Sequence, residues 1–314
     1  MRVDFTKCHG SGNDFPLIDA RAAPADMPWP VIARALADRA GPVGGDGLLL
    51  LTAGDETHAF GMRMFNSDGS EAETCLNGLR CVARAGFEAT GLDAVAVRLA
   101  TSSAQVSRDP DLAPGVVTIR EVAGPASRDV ARWPLASDHA EIVEKPIPQL
   151  GSPRAFTALA IPNPHLITFV DAIDEAELVR IGELCEAAPG WLPNRANVSF
   201  VELLEGGIYV RTFERGVGLT DSCGSAMAAS TFAAGLTFRR PFGQQITVFN
   251  RGGLVRAQAE SDGMVRLSGN ATYEWAGSAE IDIATAVASD LTIARRFDAE
   301  VAAWATLLET IAQP

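Results

Sequence analysis

Two stretches decide how this chain folds: RMFNSDGSEAETCLNGLRCVARAGF at residues 63–87 and RTFERGVGLTDSCGSAMAASTFAAG at residues 211–235. Each opens Arg-x-Phe, places a polar residue next (Asn66, Glu214) and reaches a cysteine 12 positions after the arginine, so that Cys75 and Cys223 stand 148 residues apart. Small or polar residues follow each thiol, Leu76-Asn77-Gly78 in one and Gly224-Ser225-Ala226 in the other, and an Ala-rich run of helical character comes next. A second echo at nearly the same offset sets NDFPLI from Asn13 against NPHLI from Asn163. Chance likeness of short Gly/Ala-rich segments is the competing explanation, and the coincidence of several spacings weighs against it. The repeat predicts two similar domains, each ending a strand, turning through Gly-rich chain and starting a helix at its cysteine.

Outward from these stretches, short β-rich runs such as GDGLLLLT near residue 45 and IYVRTF near residue 208 alternate with Gly-rich turns and Ala-rich helical segments, a mixed α/β pattern of the α+β kind. The expected organisation joins residues 1–122 with 273–314 in one domain, carrying Cys75, and makes 123–272 the other, carrying Cys223. Residues 128–153 bear prolines and polar groups and are expected to form the crossover or a decorated loop. Val301, Trp304, Leu308 and Ile311 recur at helical spacing and predict an amphipathic C-terminal helix packed on its own domain or on another subunit.

Bulk properties narrow the function. A chain of 314 residues, 47% hydrophobic, can bury a sizeable core. Its net charge of −13, with Lys7 and Lys145 the only lysines, offers no footprint for nucleic acid or anionic lipid. No apolar run approaches the roughly 20 residues of a membrane span, and the opening MRVDFTKCHGSGNDF has no apolar signal region, so a cytoplasmic protein is expected. Five cysteines, an odd count without a CxxC pair, argue against a disulfide framework and a structural zinc site and leave thiols for chemistry.

A lone cysteine is most often a small buried hydrophobe, but two at equivalent helix starts have a use in common. The dipole and leading N–H groups of a helix stabilise a thiolate and bring the thiol toward the range useful for proton transfer. If two such helix starts face one another across a cleft, their backbone donors can hold the carboxylate of an α-amino acid with its α-carbon between the sulfurs. One sulfur then removes the α-proton while the other delivers a proton to the opposite face, which inverts the centre. Fixed dipoles in a water-excluded pocket must stabilise the carbanion. Neither lysine lies in a recognisable motif for a pyridoxal Schiff base, so no cofactor is expected. His165 is the best placed of four histidines to accept a thiol proton, and Glu214 fills the slot after Arg-x-Phe; a satisfied loop histidine and a surface carboxylate are their alternative readings.

The motifs KCHGSGNDF, GPVGGDGLLL, MRMFNSDGSEAETCLNGLRC, IPNPH, RANVSF, FERGVG and DSCGS, in that order, closely resemble the diaminopimelate epimerase family from Phe5 to about Ile281. The resemblance implies two pseudo-symmetric domains of mixed sheet, each wrapped around a central helix, with the active site in the interdomain cleft. It further implies interconversion of L,L- and meso-2,6-diaminopimelate without cofactor or metal, a step toward lysine and peptidoglycan, and a homodimer. Carried over by position, Cys75 and Cys223 are the two bases and His165 and Glu214 their respective partners. Asn13, Asn66, Asn163, Asn197 and Arg215 are implied substrate binders. The backbone amides beginning each helix, from Leu76, Asn77 and Gly78 and from Gly224 and Ser225, are expected to receive the reacting carboxylate.

The chain departs from the family at Leu76 and Ala226, where glycines are usual. Helical φ/ψ accommodates both, so the donor function is expected to survive, while the bulk of Leu76 and Met227 bears on pocket shape. Two other readings stay open at this point: a racemase of another amino acid on the same scaffold, and a non-catalytic redox-sensing binding protein in which the two thiols form a reversible disulfide.

Overall fold

Gly47–Ala53 forms a strand whose leucines are buried on both faces. Leu48 and Leu50 join a core with Ile32 and Leu36 of helix α1 (Trp29–Ala37). Leu49 points the other way, toward Gly78 at the start of helix α2 (Leu76–Thr90). Cover on both sides is the reason this strand reads as an unbroken apolar run and not as an alternating one. The computed structural model describes residues 1–72 and 75–310, and the chain divides into two compact units, Met1–Glu121 with the segment from Ser268, and Val122–Leu267.

In the first unit Arg2–Gly10 and Asn13–Asp19 form an antiparallel hairpin. It turns through Ser11 and Gly12, whose φ values of 49° and 86° are the left-handed pair that a two-residue hairpin loop needs. After α1, Gly47–Ala53 returns parallel to the second hairpin strand, Phe60–Asn66 pairs antiparallel with it, and the short strand Glu71–Ala72 leads toward α2. Beyond α2, Ala94–Arg98 runs parallel to Phe60–Asn66 and pairs with Ser103–Asp109. Helix α2 packs across the strands of this unit, and Gly91 ends it in a left-handed conformation with φ 73°.

The second unit has the same order. Ala155–Ala160 and Pro164–Val170 form the hairpin, helix α3 (Glu175–Glu186) follows, and Asn197–Leu204 comes back parallel to Pro164–Val170. Gly207–Glu214, Gly218–Thr220 and helix α4 (Gly224–Leu236) come next, then Gln245–Asn250 parallel to Gly207–Glu214 and paired with Gly253–Ala259. Nearly every residue of α4 is buried. That is why its composition is apolar and small all round instead of striped. Asp174 caps α3 by accepting from the backbone N–H of Glu177.

Two expectations take on detail. Residues 128–153 are irregular chain, as a crossover or decorated loop is, yet Val130, Trp133, Leu135, Ile142, Ile147 and Leu150 are buried in the core of the second unit, beside Leu178 and Ile181 of α3. Their burial offsets the cost of ordering so much irregular chain. The C-terminal helix α5 (Asp298–Thr310) packs on Thr272–Asp282 through buried Trp304, with Leu308 half-buried, but Val301 is 41% exposed. Glu300 takes the facing position in place of Val301, because its carboxylate binds the buried Arg84 guanidinium at 2.5 and 2.8 Å and accepts from the Tyr273 N–H. Ile311 lies outside the described residues.

Candidate active site

Cys75 is the N-cap of α2, with extended φ/ψ, and its sulfur accepts a hydrogen bond from the Gly78 N–H at 3.3 Å. A strand entering a helix leaves the first N–H groups ahead of the intrahelical ladder, so Leu76, Asn77 and Gly78 head a row of donors beside a half-buried thiol. Gly78 must be small: a Cβ there would lie 2.7 Å from Leu49 Cδ2 and 3.4 Å from the Cys75 sulfur. Gly10 is under the same pressure, since its Cβ would meet the Asn77 carbonyl oxygen at 2.4 Å. The hairpin tip thereby rests directly on the first turn of α2.

That close approach joins Asn13 to the helix. The Asn77 amide, which is buried, donates to Asn13 Oδ1, and Asn13 Nδ2 donates to Asp46 Oδ2 at 3.1 Å. Beneath them lies a fully buried pair, Arg80 Nη1 to Glu121 Oε1 at 2.7 Å. Arg80 also donates to Asn77 Oδ1 at 2.8 Å, to Ser11 Oγ at 3.0 Å and to the Asn270 carbonyl at 3.1 Å. Burial pushes the Glu121 carboxyl up, against the opposing pull of Arg80, to about 7. Asn66 ends the strand Phe60–Asn66, and its amide donates to Ser70 Oγ at 2.9 Å, within the turn that follows.

The second unit repeats the device at Cys223, the extended N-cap of α4, buried with its sulfur 3.4 Å from Ser225 Oγ. Here no side-chain bond caps the helix. A small pocket beside the sulfur is lined by Thr212, Asp221, Met227 and Asn250 among others, and the Met227 thioether accepts from Asn250 Nδ2 at 3.1 Å. Ala226 is fully buried and Leu76 nearly so.

Another group of the expected residues meets along Pro164–Val170, Asn197–Leu204 and the end of Gly207–Glu214. His165, fully buried, has Nε2 3.2 Å from Asn163 Oδ1 and 3.4 Å from Asn197 Nδ2, and its Nδ1 has no hydrogen-bond partner among the described residues. The two contacts make opposite demands on Nε2, because Asn163 Oδ1 can only accept and Asn197 Nδ2 can only donate. Burial, aided by the Arg215 charge, lowers the His165 pKa to about 3, so the ring is neutral. Asn197 Oδ1 accepts the Arg215 N–H at 2.8 Å, while the Arg215 guanidinium donates to the Asn194 carbonyl at 3.0 Å. Glu214 closes its strand opposite Gly218 and is half-buried.

Asp46, Arg80, Glu121 and Asn270 were not among the residues expected from sequence. Asp46 lies inside the quoted GPVGGDGLLL motif, and Arg80 stands three residues after Asn77 on one helix face, a spacing that brings side chains together. Lys7 is buried and bonds Asp14 and the Gly44 carbonyl, which gives it a structural partner set. Among the described residues no three His, Cys, Asp or Glu side chains converge as a metal site requires, and no helix is long and apolar enough to cross a membrane.

Comparison with known proteins adds a family likeness to this geometry. A family model described as diaminopimelate epimerase matches residues 5–110 and 157–274. A diaminopimelate epimerase of Clostridium acetobutylicum is 39% identical over 290 residues, 90% of this chain and 87% of that protein. One from Enterococcus faecalis is 38% identical over 287 residues, covering 87% of each. Among solved structures, a phenazine biosynthesis protein of the PhzF family from Bacillus anthracis superposes with a TM-score of 0.64 at 14% identity, over 90% of this chain and all of that one. A probable proline racemase from Agrobacterium radiobacter gives 0.60 at 13% identity, over 98% of this chain and 100% of its own. At such identities the structural likeness speaks for the fold alone.

Proposed function

Because the chain belongs to the diaminopimelate epimerase family, we propose that it interconverts L,L- and meso-2,6-diaminopimelate, with Cys75 and Cys223 as paired acid/base thiols and no cofactor. The observation that carries the reading is that each cysteine stands at the same place in a repeated strand–turn–helix, as the N-cap of α2 or α4.

In this mechanism the thiolate of one cysteine takes the α-proton as the C–H bond breaks, and the electron pair delocalises into the substrate carboxylate. The thiol of the other cysteine gives its proton to the opposite face of the α-carbon. Atoms balance: the substrate is inverted and the two sulfurs exchange protonation states, so the next turnover runs in the reverse sense or follows proton exchange with solvent. Helix-start amides from Leu76, Asn77, Gly224 and Ser225 hold the carboxylate and stabilise the charge as it develops, while the Gly78 N–H stays on the Cys75 sulfur.

His165 and Glu214 serve as partners of the thiols in this reading. A histidine held neutral takes a thiol proton only as the thiolate charge forms to stabilise the imidazolium. Asn13, Asn66, Asn163, Asn197 and Arg215 bind the amino and carboxylate groups of the second centre, for which directional amide and guanidinium hydrogen bonds are suited. The enzyme works in the cytoplasm as a homodimer; light scattering that returned a single-chain mass would contradict the dimer.

The substrate is tested by incubating reduced enzyme, without added cofactor, with a panel of amino acids and resolving the products by chiral chromatography. Conversion of L,L-diaminopimelate to the meso isomer, with other amino acids turned over at least a hundredfold more slowly, is the expected result. Equal or faster turnover of a different amino acid overturns the substrate assignment.

A further inference from the structure

Asn13 and Asn77 are joined in a chain of hydrogen bonds with a single direction. Arg80, which can only donate, gives a hydrogen to Asn77 Oδ1 at 2.8 Å. That leaves the Asn77 amide nitrogen to donate to Asn13 Oδ1, and Asn13 Nδ2 to donate in turn to Asp46 Oδ2 at 3.1 Å. Asp46, which accepts only when ionised, is itself held: its backbone N–H donates to the Asp14 carbonyl at 2.8 Å, and Arg39 Nη2 donates to its Oδ1 at 2.7 Å. An obligate donor at one end and an obligate acceptor at the other permit one orientation for both amides, because flipping either carboxamide would set N–H against N–H or oxygen against oxygen.

We propose that Asp46 and Arg80 are positioning residues that fix the amide polarity of Asn13, so that its remaining N–H, and not its carbonyl, is what it offers to a carboxylate of the substrate. The inference rests on the reading of Asn13 as a substrate contact. Asn13 is half-buried and Asp46 is exposed, whereas Asn77 and Arg80 are buried, so the chain runs from the interior to the surface at the hairpin tip. Two glycines of the GPVGGDG motif suit this approach: Gly44 has φ 70°, and a Cβ on Gly45 would lie 3.0 Å from the Asp14 carbonyl oxygen.

The test is a double-mutant cycle on Asp46 and Asn13, read as KM and kcat separately. Asp46 is the tractable end, since it lies at the surface while Arg80 is wholly interior. Asp46→Ala should raise KM for diaminopimelate about tenfold with kcat changed less than about threefold, as expected for loss of orientation of a single charge-assisted hydrogen bond. In an Asn13→Ala background the same change should add less than twofold, and Asp46→Asn, which keeps an acceptor oxygen, should recover most of the KM. Asn77→Asp is the second arm, because it replaces the donor facing Asn13 by an acceptor and should raise KM further than Asp46→Ala does. If Asn13→Ala is defective but Asp46→Ala multiplies the defect in full, or leaves KM unchanged on its own, the relay is wrong while the reading of Asn13 stands. If Asn13→Ala matches the parent in both constants, that reading fails and takes the relay with it.

Discussion

Gly78 donates its backbone N–H to the sulfur of Cys75 across 3.3 Å, so the thiol of the first repeat is itself the cap of the helix it precedes. A thiolate accepts such a bond better than a thiol does, and the helix dipole acts in the same sense. Cys223 holds the matching place on α4 but has Ser225 Oγ beside it at 3.4 Å and no side-chain capping bond. The two equivalent positions thus differ in whether the cysteine side chain caps its helix.

The cap depends on the absence of a side chain. Gly78→Ala would drive a methyl group to 2.7 Å from Leu49 Cδ2, in the middle of a strand covered on both sides. A loss of about 1–3 kcal/mol in urea denaturation is expected, the usual cost of overpacking a core, together with a fall in kcat as α2 moves away from the hairpin. Parent-like stability would show that the strand can give way.

Two histidines are buried as neutral rings, and this fixes the sign of an acid effect. Burial lowers His9 to about 4 and His165 to about 3, against 6.5 in the unfolded chain. Between those values the unfolded state takes up protons that the folded state refuses. Their contribution to stability is therefore full above 6.5 and is lost as pH falls toward 4 and 3. His9→Gln should shrink the fall in Tm between pH 7 and pH 4.5, measured by circular dichroism; an unchanged slope would contradict the assignment.

Glu121 has the opposite slope. Its carboxyl titrates at about 7 when folded and at 4.5 when unfolded, so the folded state holds a proton that the unfolded chain releases. Stability from this group is greatest below 4.5 and declines as pH rises through 7. Glu121→Gln should remove that decline between pH 5 and pH 8, with Arg80 still bonded to the Gln oxygen, and a Tm difference unaltered by the substitution would count against it.

The C-terminal helix is tied to α2 by Glu300, which binds Arg84, while the Arg84 guanidinium lies 3.6 Å from the centre of the Tyr273 ring. Glu300→Ala should cost about 1–3 kcal/mol, the range for losing a hydrogen-bonded partner of a buried charge. Arg84 keeps Glu88 and the Ala271 carbonyl, which holds the loss within that range. Chemical denaturation of variant and parent measures the difference.

Much of this architecture was written in local spacing. Arg-x-Phe followed at a fixed interval by Cys and an Ala-rich run encodes strand, turn and helix, and the strand registers carry it through: Leu17 pairs in parallel with Leu49, and Leu166 in parallel with Val198. What stayed hidden is non-local. Arg80 and Glu121 are 41 residues apart and Asn13 and Asp46 are 33 apart, so no window of sequence shows that they bond. The apolar residues of 128–153 follow no helical or strand period, because they pack from turns, and their burial could not be read from spacing. Helical spacing placed Val301 inward, yet Glu300, paired with Arg84, takes that position while Trp304 and Leu308 keep theirs.

The central claim, that two thiols transfer the α-proton, is tested most directly in deuterated water. Reduced parent enzyme, Cys75→Ala and Cys223→Ala are each incubated with L,L-diaminopimelate, and α-deuterium and the meso isomer are followed together. The parent should incorporate deuterium as it epimerises, and each variant should lose epimerisation by about 10²–10⁴-fold, the contribution of one positioned acid or base. Undiminished epimerisation in both variants would contradict the account.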